Sequence, residues 1–399
     1  MNAQIESAVA AFRKLLEEQL ARAAEMENAP PARDYKNMEK IRIGLIDGDG
    51  IGPIIMREAK RVLATVLAGQ IAAGRVELLD IEGLTIENRE AKGQAIPDDV
   101  LAAIRSCDVL LKGPTTTPKG GNMESANVAM RRELDLYANV RPVSVPAEGI
   151  DWTFFRENTE GEYVLGSRGV EIKGKLAMDF KVTTDAGTRR IARAAFEYAK
   201  NNGKKNVAIV TKANIMKKTD GNFSAICHEI AAEYPDITAE DWYIDIMTAN
   251  LVNEKIRSRF EVFLLPNLYG DIITDEAAQI QGGVGTAGSA NIGTKYAMFE
   301  AIHGSAPRMV TEGRAQYADP CSMIKAVALM MDHIGENEKG KRLGMALDIC
   351  CQFEKKLVMT GRDTGATGDE FAQYVLDTMD RADLEQAWQG YVDAAKAKN

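Results

Sequence analysis

The sequence predicts an α/β protein of more than one lobe, and three observations point there. From Ile41 onward, short apolar runs alternate with helical stretches, the rhythm of an α/β chain. At 399 residues the chain is too long for one small core, and about 100–200 residues per domain suggests two or three lobes with room for a cleft. The stretches 113–127, 267–275 and 281–294 are rich in polar residues and glycine, and are expected as loops at strand ends, where α/β proteins place chemistry.

The elements follow in order. Residues 1–28 read as a helix with Ile5, Val9, Phe12, Leu16 and Leu20 near one face, ended by Pro30–Pro31. It is either an accessory helix or a partner-binding one. Its many glutamates argue against a transit peptide. Strands are expected at 41–46, 76–81, 109–112, 207–211 and 261–266, with a helix from Pro53 to about Val66. Residues 157–185 alternate and carry glycine turns, which predicts β-hairpins, an inserted arm. The Ala/Lys-rich tail at 394–398 is expected to fray.

Composition excludes several classes. A net charge of −9 argues against a nucleic-acid surface, so an anionic ligand needs a local cationic cluster. No apolar run approaches the ~18–20 residues that cross a bilayer, so no membrane role is expected. Cys107, Cys227, Cys321, Cys350 and Cys351 show no CxxC spacing and read as reduced thiols of a cytoplasmic protein.

The candidate chemistry is ambiguous residue by residue. Gly48–Pro53 follows a strand and opens a helix, but it fails the GxGxxG spacing and reads as a nucleotide loop or a tight turn. Arg131 and Arg141 lie in 125–141 among helical apolar positions, with Arg156 downstream; they are surface ion pairs or forks for substrate carboxylates. Asp271 and Asp275 are four residues apart where a helix is expected to begin after a turn. They either cap that helix or share a hard divalent cation on one face. Tyr163 and Lys212 are candidates for proton transfer. His228 and His333 fall in helical stretches and His303 in a glycine-containing loop; none sits in a zinc pattern.

Taken together and in order, the motifs GDGIGP at 48–53, KGP at 112–114, SANVAMRRELDLYANVRP at 125–142, RENTEGEY at 156–163, KANIMKKTDG at 212–221, NLYGDIITD at 267–275, GGVGTAGSANIG at 282–293 and FEAIHGSAP at 299–307 are specific. The chain resembles the β-decarboxylating dehydrogenases that act on isocitrate, isopropylmalate, homoisocitrate and tartrate or D-malate. The resemblance implies that family's fold, which is not a dinucleotide-binding Rossmann domain. It comprises a large α/β domain (41–136 and 282–399), a smaller α/β domain (137–281) with a clasp arm at about 161–184, and here an N-terminal helical extension (1–40). It further implies a homodimer whose active sites lie between domains and are shared across subunits.

The same resemblance implies the residue roles. Arg131, Arg141 and Arg156 would hold substrate carboxylates, Tyr163 would protonate carbon, and Lys212 from the partner would serve in proton transfer. Asp271 and Asp275, with Asp245 of the other subunit, would bind Mg²⁺ or Mn²⁺. NAD or NADP would meet Thr117, Asn214, His303, Gly304, Ser305, Ala306, Arg308, Asp319 and Asp363. Ser125 and Asn127 match the isocitrate pattern, in which a hydroxyl and an amide meet an extra carboxylate. The expected substrate is therefore a tricarboxylate, isocitrate, and the expected role a step of the tricarboxylic acid cycle. Isopropylmalate or homoisocitrate as substrate, and a noncatalytic regulatory subunit, are the alternatives.

Overall fold

The computed structural model describes residues 2–118, 123–166 and 168–397. Residues 119–122 of the expected 113–127 loop, Ser167 of the expected arm and residue 398 of the expected frayed tail lie outside the described residues. The strands are β1 (Ile41–Ile46), β2 (Val76–Asp80), β3 (Val109–Lys112), β4 (Ala138–Val145), β5 (Ile150–Glu157), β6 (Val170–Ile172), β7 (Leu176–Met178), β8 (Asn206–Thr211), β9 (Thr238–Tyr243), β10 (Val262–Leu265), β11 (Gly288–Ile292) and β12 (Ala297–Ala301). The chain divides into two compact units. The first holds Met1–Pro31, Tyr137–Asn139 and Trp152–Thr274; the second holds Ala32–Leu136, Val140–Asp151 and Asp275–Asn399.

In the second unit the strand order is β2-β1-β3-β12-β11. β1 runs parallel to both β2 and β3, β12 runs parallel to β3, and β11 is antiparallel to β12. The central strands β1, β3 and β12 are mainly apolar because both faces are covered. Adjacent residues serve opposite faces: Leu111 and Phe299 pack with Ile55, Val62, Met323 and Val327, whereas Leu110 and Met298 pack with Val100, Ile104, Met130 and Leu134. Pro53 starts the helix Gly52–Val66, which lies in the first of these clusters through Ile55, Met56, Ala59 and Leu63.

In the first unit β5, β10, β8 and β9 form a parallel order. Phe154 and Phe263, facing each other from β5 and β10, stack at 4.3 Å, with Trp152 edge-on to both. Thr184 caps the helix Asp185–Asn201 by accepting from the Gly187 N–H. The arm is the antiparallel pair β6–β7, with Val170 opposite Met178.

The N-terminal helix, Asn2–Glu27, belongs to the first unit and does not stand apart. Its inward face carries Leu15, while Arg22 donates to Glu160 and Thr159. Ile5, Val9, Phe12, Leu16 and Leu20 face outward at 46–63% exposure.

Four local expectations are corrected. Arg141 lies on β4, not on a helix: Val140, Val143 and Val145 favour an extended chain. Residues 267–275 are not a loop, because the helix Asn267–Gln281 begins at once after Pro266. Residues 281–294 contain β11, and the helix Leu384–Lys396 runs through most of the tail expected to fray. No described helix is long and apolar enough to cross a membrane.

Candidate active site

In the first unit a cluster forms around Arg156, which is 1% exposed at the end of β5. Its Nε and Nη2 donate to Asn267 Oδ1 at 3.0 and 2.6 Å, and Nη1 donates to Asp271 Oδ1 at 2.5 Å. Asn267 in turn donates from Nδ2 to the Glu160 carbonyl at 2.9 Å, which fixes its orientation. Gly270 makes room for this: a Cβ there would stand 2.6 Å from Arg156 Cγ. The Tyr163 hydroxyl donates to Asp271 Oδ2 at 2.8 Å, and the Arg156 guanidinium lies 5.3 Å from the Tyr163 ring centre. Asp271 thus receives a guanidinium and a phenol on its two oxygens.

Lys212 and Asp245 form a separate pair in the same unit, Nζ to Oδ1 at 2.7 Å. The lysine holds the Asp245 carboxyl below its ordinary value. The Lys212 backbone N–H donates to Asp220, a fully buried carboxylate also paired with Lys181 at 2.6 Å. Asn214 is exposed in the turn that follows.

In the second unit Ser125 immediately precedes the helix Ala126–Glu133, yet its side chain makes no capping hydrogen bond. Thr115 donates to Asn127 Oδ1 at 3.0 Å, which orients the amide and leaves its N–H₂ as a donor. Arg131 is braced by Glu300 at 3.4 Å, and its buried Nε has no hydrogen-bond partner among the described residues. Arg141, 7% exposed, reaches Asp275 at 3.4 Å.

The charge behind Arg131 was not singled out from sequence. Lys112 and Glu300 are register partners on β3 and β12, both buried, joined at 2.9 Å. Asn291 also donates to Glu300 at 2.8 Å. Burial pushes the Glu300 carboxyl up, but Lys112 and Arg131 overcome it and hold the group at about 2. The only signal in the sequence was a charged residue inside each of two apolar runs.

The expected nucleotide residues fall on several loops. Asp49, 6% exposed, accepts from the Ile86 N–H at 2.8 Å and the Thr116 N–H at 2.7 Å. Gly50 has φ +60°, and a Cβ there would lie 2.0 Å from the Ser305 carbonyl oxygen, which accepts the Ile51 N–H at 2.9 Å. Thr116 and Ser305 hydroxyls meet at 2.7 Å. Gly48–Pro53 is therefore a tight turn that fastens the 113–117 and 303–306 loops together. Thr117 is exposed beside it. His303 Nδ1 donates to the Gly304 carbonyl, 3.0 Å away, and burial lowers its pKa, favouring the neutral ring. Ala306 sits in the left-handed region ahead of Pro307. Arg308 lies on the short helix Pro307–Thr311 and pairs with Glu312, which also holds Arg314 at 2.6 Å. Asp319 accepts from the Cys321 N–H at 2.9 Å, and burial raises it to about 6. Asp363 is exposed.

The donor chemistry fits a hard divalent cation in part. Asp271 and Asp275 stand one turn apart on one helix, giving two carboxylates and leaving other positions to water, substrate or another chain. No described group of three or more His, Cys, Asp or Glu could hold a metal by itself.

A model of the isocitrate/isopropylmalate dehydrogenase family matches residues 42–370. The chain belongs to that family. The family's homoisocitrate dehydrogenase of Methanocaldococcus jannaschii is 35% identical over 356 residues, 84% of this chain and 98% of that protein. An isocitrate dehydrogenase [NADP] of Rickettsia prowazekii is 40% identical over 300 residues, 73% of this chain; the match spans only 59% of the rickettsial protein. The crystal structure of isocitrate dehydrogenase from Methylococcus capsulatus superposes with a TM-score of 0.75 at 35% identity, covering 86% of this chain and all of that one. The family match begins at residue 42, so the Asn2–Glu27 helix lies outside it. Membership makes this a decarboxylating dehydrogenase that uses a divalent metal and a nicotinamide cofactor.

Proposed function

We propose that the chain catalyses metal-dependent oxidative decarboxylation of isocitrate to 2-oxoglutarate with reduction of NAD or NADP. The observation that carries the reading is the orphan donor of Arg131. A buried guanidinium N–H without an acceptor costs about 1–3 kcal/mol, and a substrate carboxylate supplies the acceptor. Ser125, with its hydroxyl not spent on its helix, and Asn127, with its amide oriented by Thr115, offer donors to an additional carboxylate. Those are poor neighbours for an isopropyl group.

In this reading Arg131, Arg141 and Arg156 bind and orient the substrate. Asp271 and Asp275 would hold Mg²⁺ or Mn²⁺ together with Asp245 of a second copy, and that ion, when bound, supplies Lewis-acid stabilisation of negative charge on substrate oxygen. Tyr163, hydrogen-bonded to Asp271, delivers the proton to the carbon that carbon dioxide leaves. Lys212, paired with Asp245, moves the hydroxyl proton in a second copy's site. The loops around Thr117, His303, Gly304, Ser305, Ala306, Arg308, Asp319 and Asp363, with Asn214, hold the nucleotide so that it accepts the hydride.

Homoisocitrate is the second reading, favoured by the match along 98% of the Methanocaldococcus jannaschii enzyme. It is also a tricarboxylate, longer by one methylene, which a pocket discriminates by roughly 10–200-fold. The test is the appearance of reduced nicotinamide when the full chain is given Mg²⁺, NAD or NADP, and each acid in turn. Isocitrate is expected to have the highest kcat/KM. A higher value for homoisocitrate or isopropylmalate overturns the assignment, and no reduction with any acid points instead to a regulatory subunit.

A further inference from the structure

Cys321 and Cys351 come from distant parts of the second unit, and their Sγ atoms are 3.2 Å apart. Cys321 is the first residue of the helix Cys321–His333 and is 3% exposed; Cys351 sits half-buried in the π-helical turn Ile349–Phe353. Both line a cavity of about 750 Å³ with Asp319, Lys325, Asp348 and Met359. Cys350 and Cys351 are adjacent in sequence, but their sulfurs take different partners. Cys350 is buried against Thr378 Oγ1 at 3.4 Å and the Tyr374 carbonyl at 3.8 Å. A π-turn inserts one residue into a helical repeat and often marks a functional position. Here it gives two adjacent thiols different partners: Cys351 meets Cys321, whereas Cys350, also on the cavity wall, is held by Thr378 and the Tyr374 carbonyl.

We propose that Cys321 and Cys351 are a redox modification site, converted by peroxide to a disulfide that fastens the Asp319–Cys321 segment to the Ile349–Phe353 turn. The sulfurs need close by only about 1 Å to reach bonding distance of about 2.05 Å. Cys351, the more accessible sulfur, attacks hydrogen peroxide as its thiolate, giving the sulfenic acid and hydroxide, which takes up the released proton as water. Cys321 sulfur then displaces the sulfenic oxygen, forming the S–S bond and a second water. The balance is two thiols and one hydrogen peroxide to one disulfide and two waters, with both sulfurs oxidised and peroxide reduced. The hydrogen bond that the Cys321 thiol donates to Cys351 and its burial both keep it protonated, so the pair resists oxidation until Cys351 has reacted. Asp319 lies two residues before Cys321, so the disulfide also restrains a carboxylate assigned above to the nucleotide. That consequence rests on the proposed function; the disulfide does not.

The test uses the full chain treated with hydrogen peroxide, then denatured for thiol titration and digested for non-reducing peptide mapping. Five titratable thiols should fall to three, with one cross-linked peptide joining Cys321 to Cys351, and dithiothreitol should restore all five. Cys350→Ser should still form the link, whereas Cys321→Ser and Cys351→Ser should not. Five remaining thiols, a link through Cys350, or a sulfinic acid at Cys351 beside a free Cys321 overturns the proposal. NADH and NADPH titrations of both forms read the coupling to Asp319: weaker binding, reversed by dithiothreitol, is expected after oxidation. Unchanged affinity with the link in place refutes that coupling. A reduced chain that binds neither nucleotide counts against the proposed function alone.

Discussion

Glu300 is a carboxylate almost without water, kept charged by Lys112 across the sheet and Arg131 from the neighbouring helix. Glu300→Gln leaves Lys112 buried opposite a neutral group and should cost about 3–5 kcal/mol, read as a fall in the urea midpoint at pH 7. Because the folded-state pKa is about 2, below the ordinary 4.5, the stabilisation is present above pH 4.5 and lost as pH falls through 2. The gap between variant and parent should therefore narrow on acidification; a constant gap from pH 7 to pH 3 would refute this charge assignment. Tyr163→Phe removes a proton donor and little volume. It should lower kcat by about 10²–10⁴-fold with isocitrate affinity nearly unchanged, and undiminished turnover would remove Tyr163 from its role. Motif order singled out Arg131, Arg141, Arg156, Asp271, Asp275, Tyr163 and Lys212 as candidates, and the structure brings Arg156, Tyr163 and Asp271 together. Lys112 and Glu300 were not singled out, since their pairing exists only once β3 and β12 lie side by side.

Among elements, the motif at Gly48–Pro53, open in sequence between a nucleotide loop and a tight turn, forms the tight turn. Its glycines serve close approach of backbone to backbone, and Gly50→Ala both strains a left-handed residue, about 1–3 kcal/mol, and drives a methyl into the Ser305 carbonyl. A clear loss of thermal stability and of nucleotide affinity together is expected, and an unchanged melting temperature would contradict the close packing. Apolar runs announced β1 and β3 to the residue, because strands buried on both faces have little other composition available. The start of the Asn267–Gln281 helix was read as a turn because Pro, Asn, Tyr and Gly favour turns locally. Two tertiary needs override that preference: Asn267 must orient Arg156, and Gly270 must yield space to it.

For the whole molecule, the proposed site takes Lys212 and Asp245 from a second copy of the chain that supplies Tyr163, Arg156 and Asp271. Tyr163→Phe and Lys212→Met chains, each inactive, should regain roughly a quarter of native activity when unfolded and refolded together, since half the dimers are mixed and each carries one intact site. No recovery would show that each chain works alone. Chelation by EDTA should abolish turnover, and Mg²⁺ or Mn²⁺ should restore it; EDTA-resistant activity would exclude the metal role of Asp271 and Asp275.

The discontinuity of the second unit has a consequence during synthesis. β3 ends at Lys112, but the strand that covers its other edge, β12, ends at Ala301. The difference, 301 − 112, is 189 residues, and translation at about 5–20 residues per second leaves that edge waiting roughly 10–40 seconds. Meanwhile Trp152–Thr274 emerges as one uninterrupted stretch carrying β8, β9 and β10. The nascent chain thus exposes the edge of a short strand with three apolar residues while a later segment is free to fold, and an unpaired strand edge invites association. Ribosome-bound chains halted before β12 should be cleaved readily by protease between residues 41 and 112 yet resist it between 152 and 274, and chaperone dependence should fall once Ala301 has cleared the ribosome.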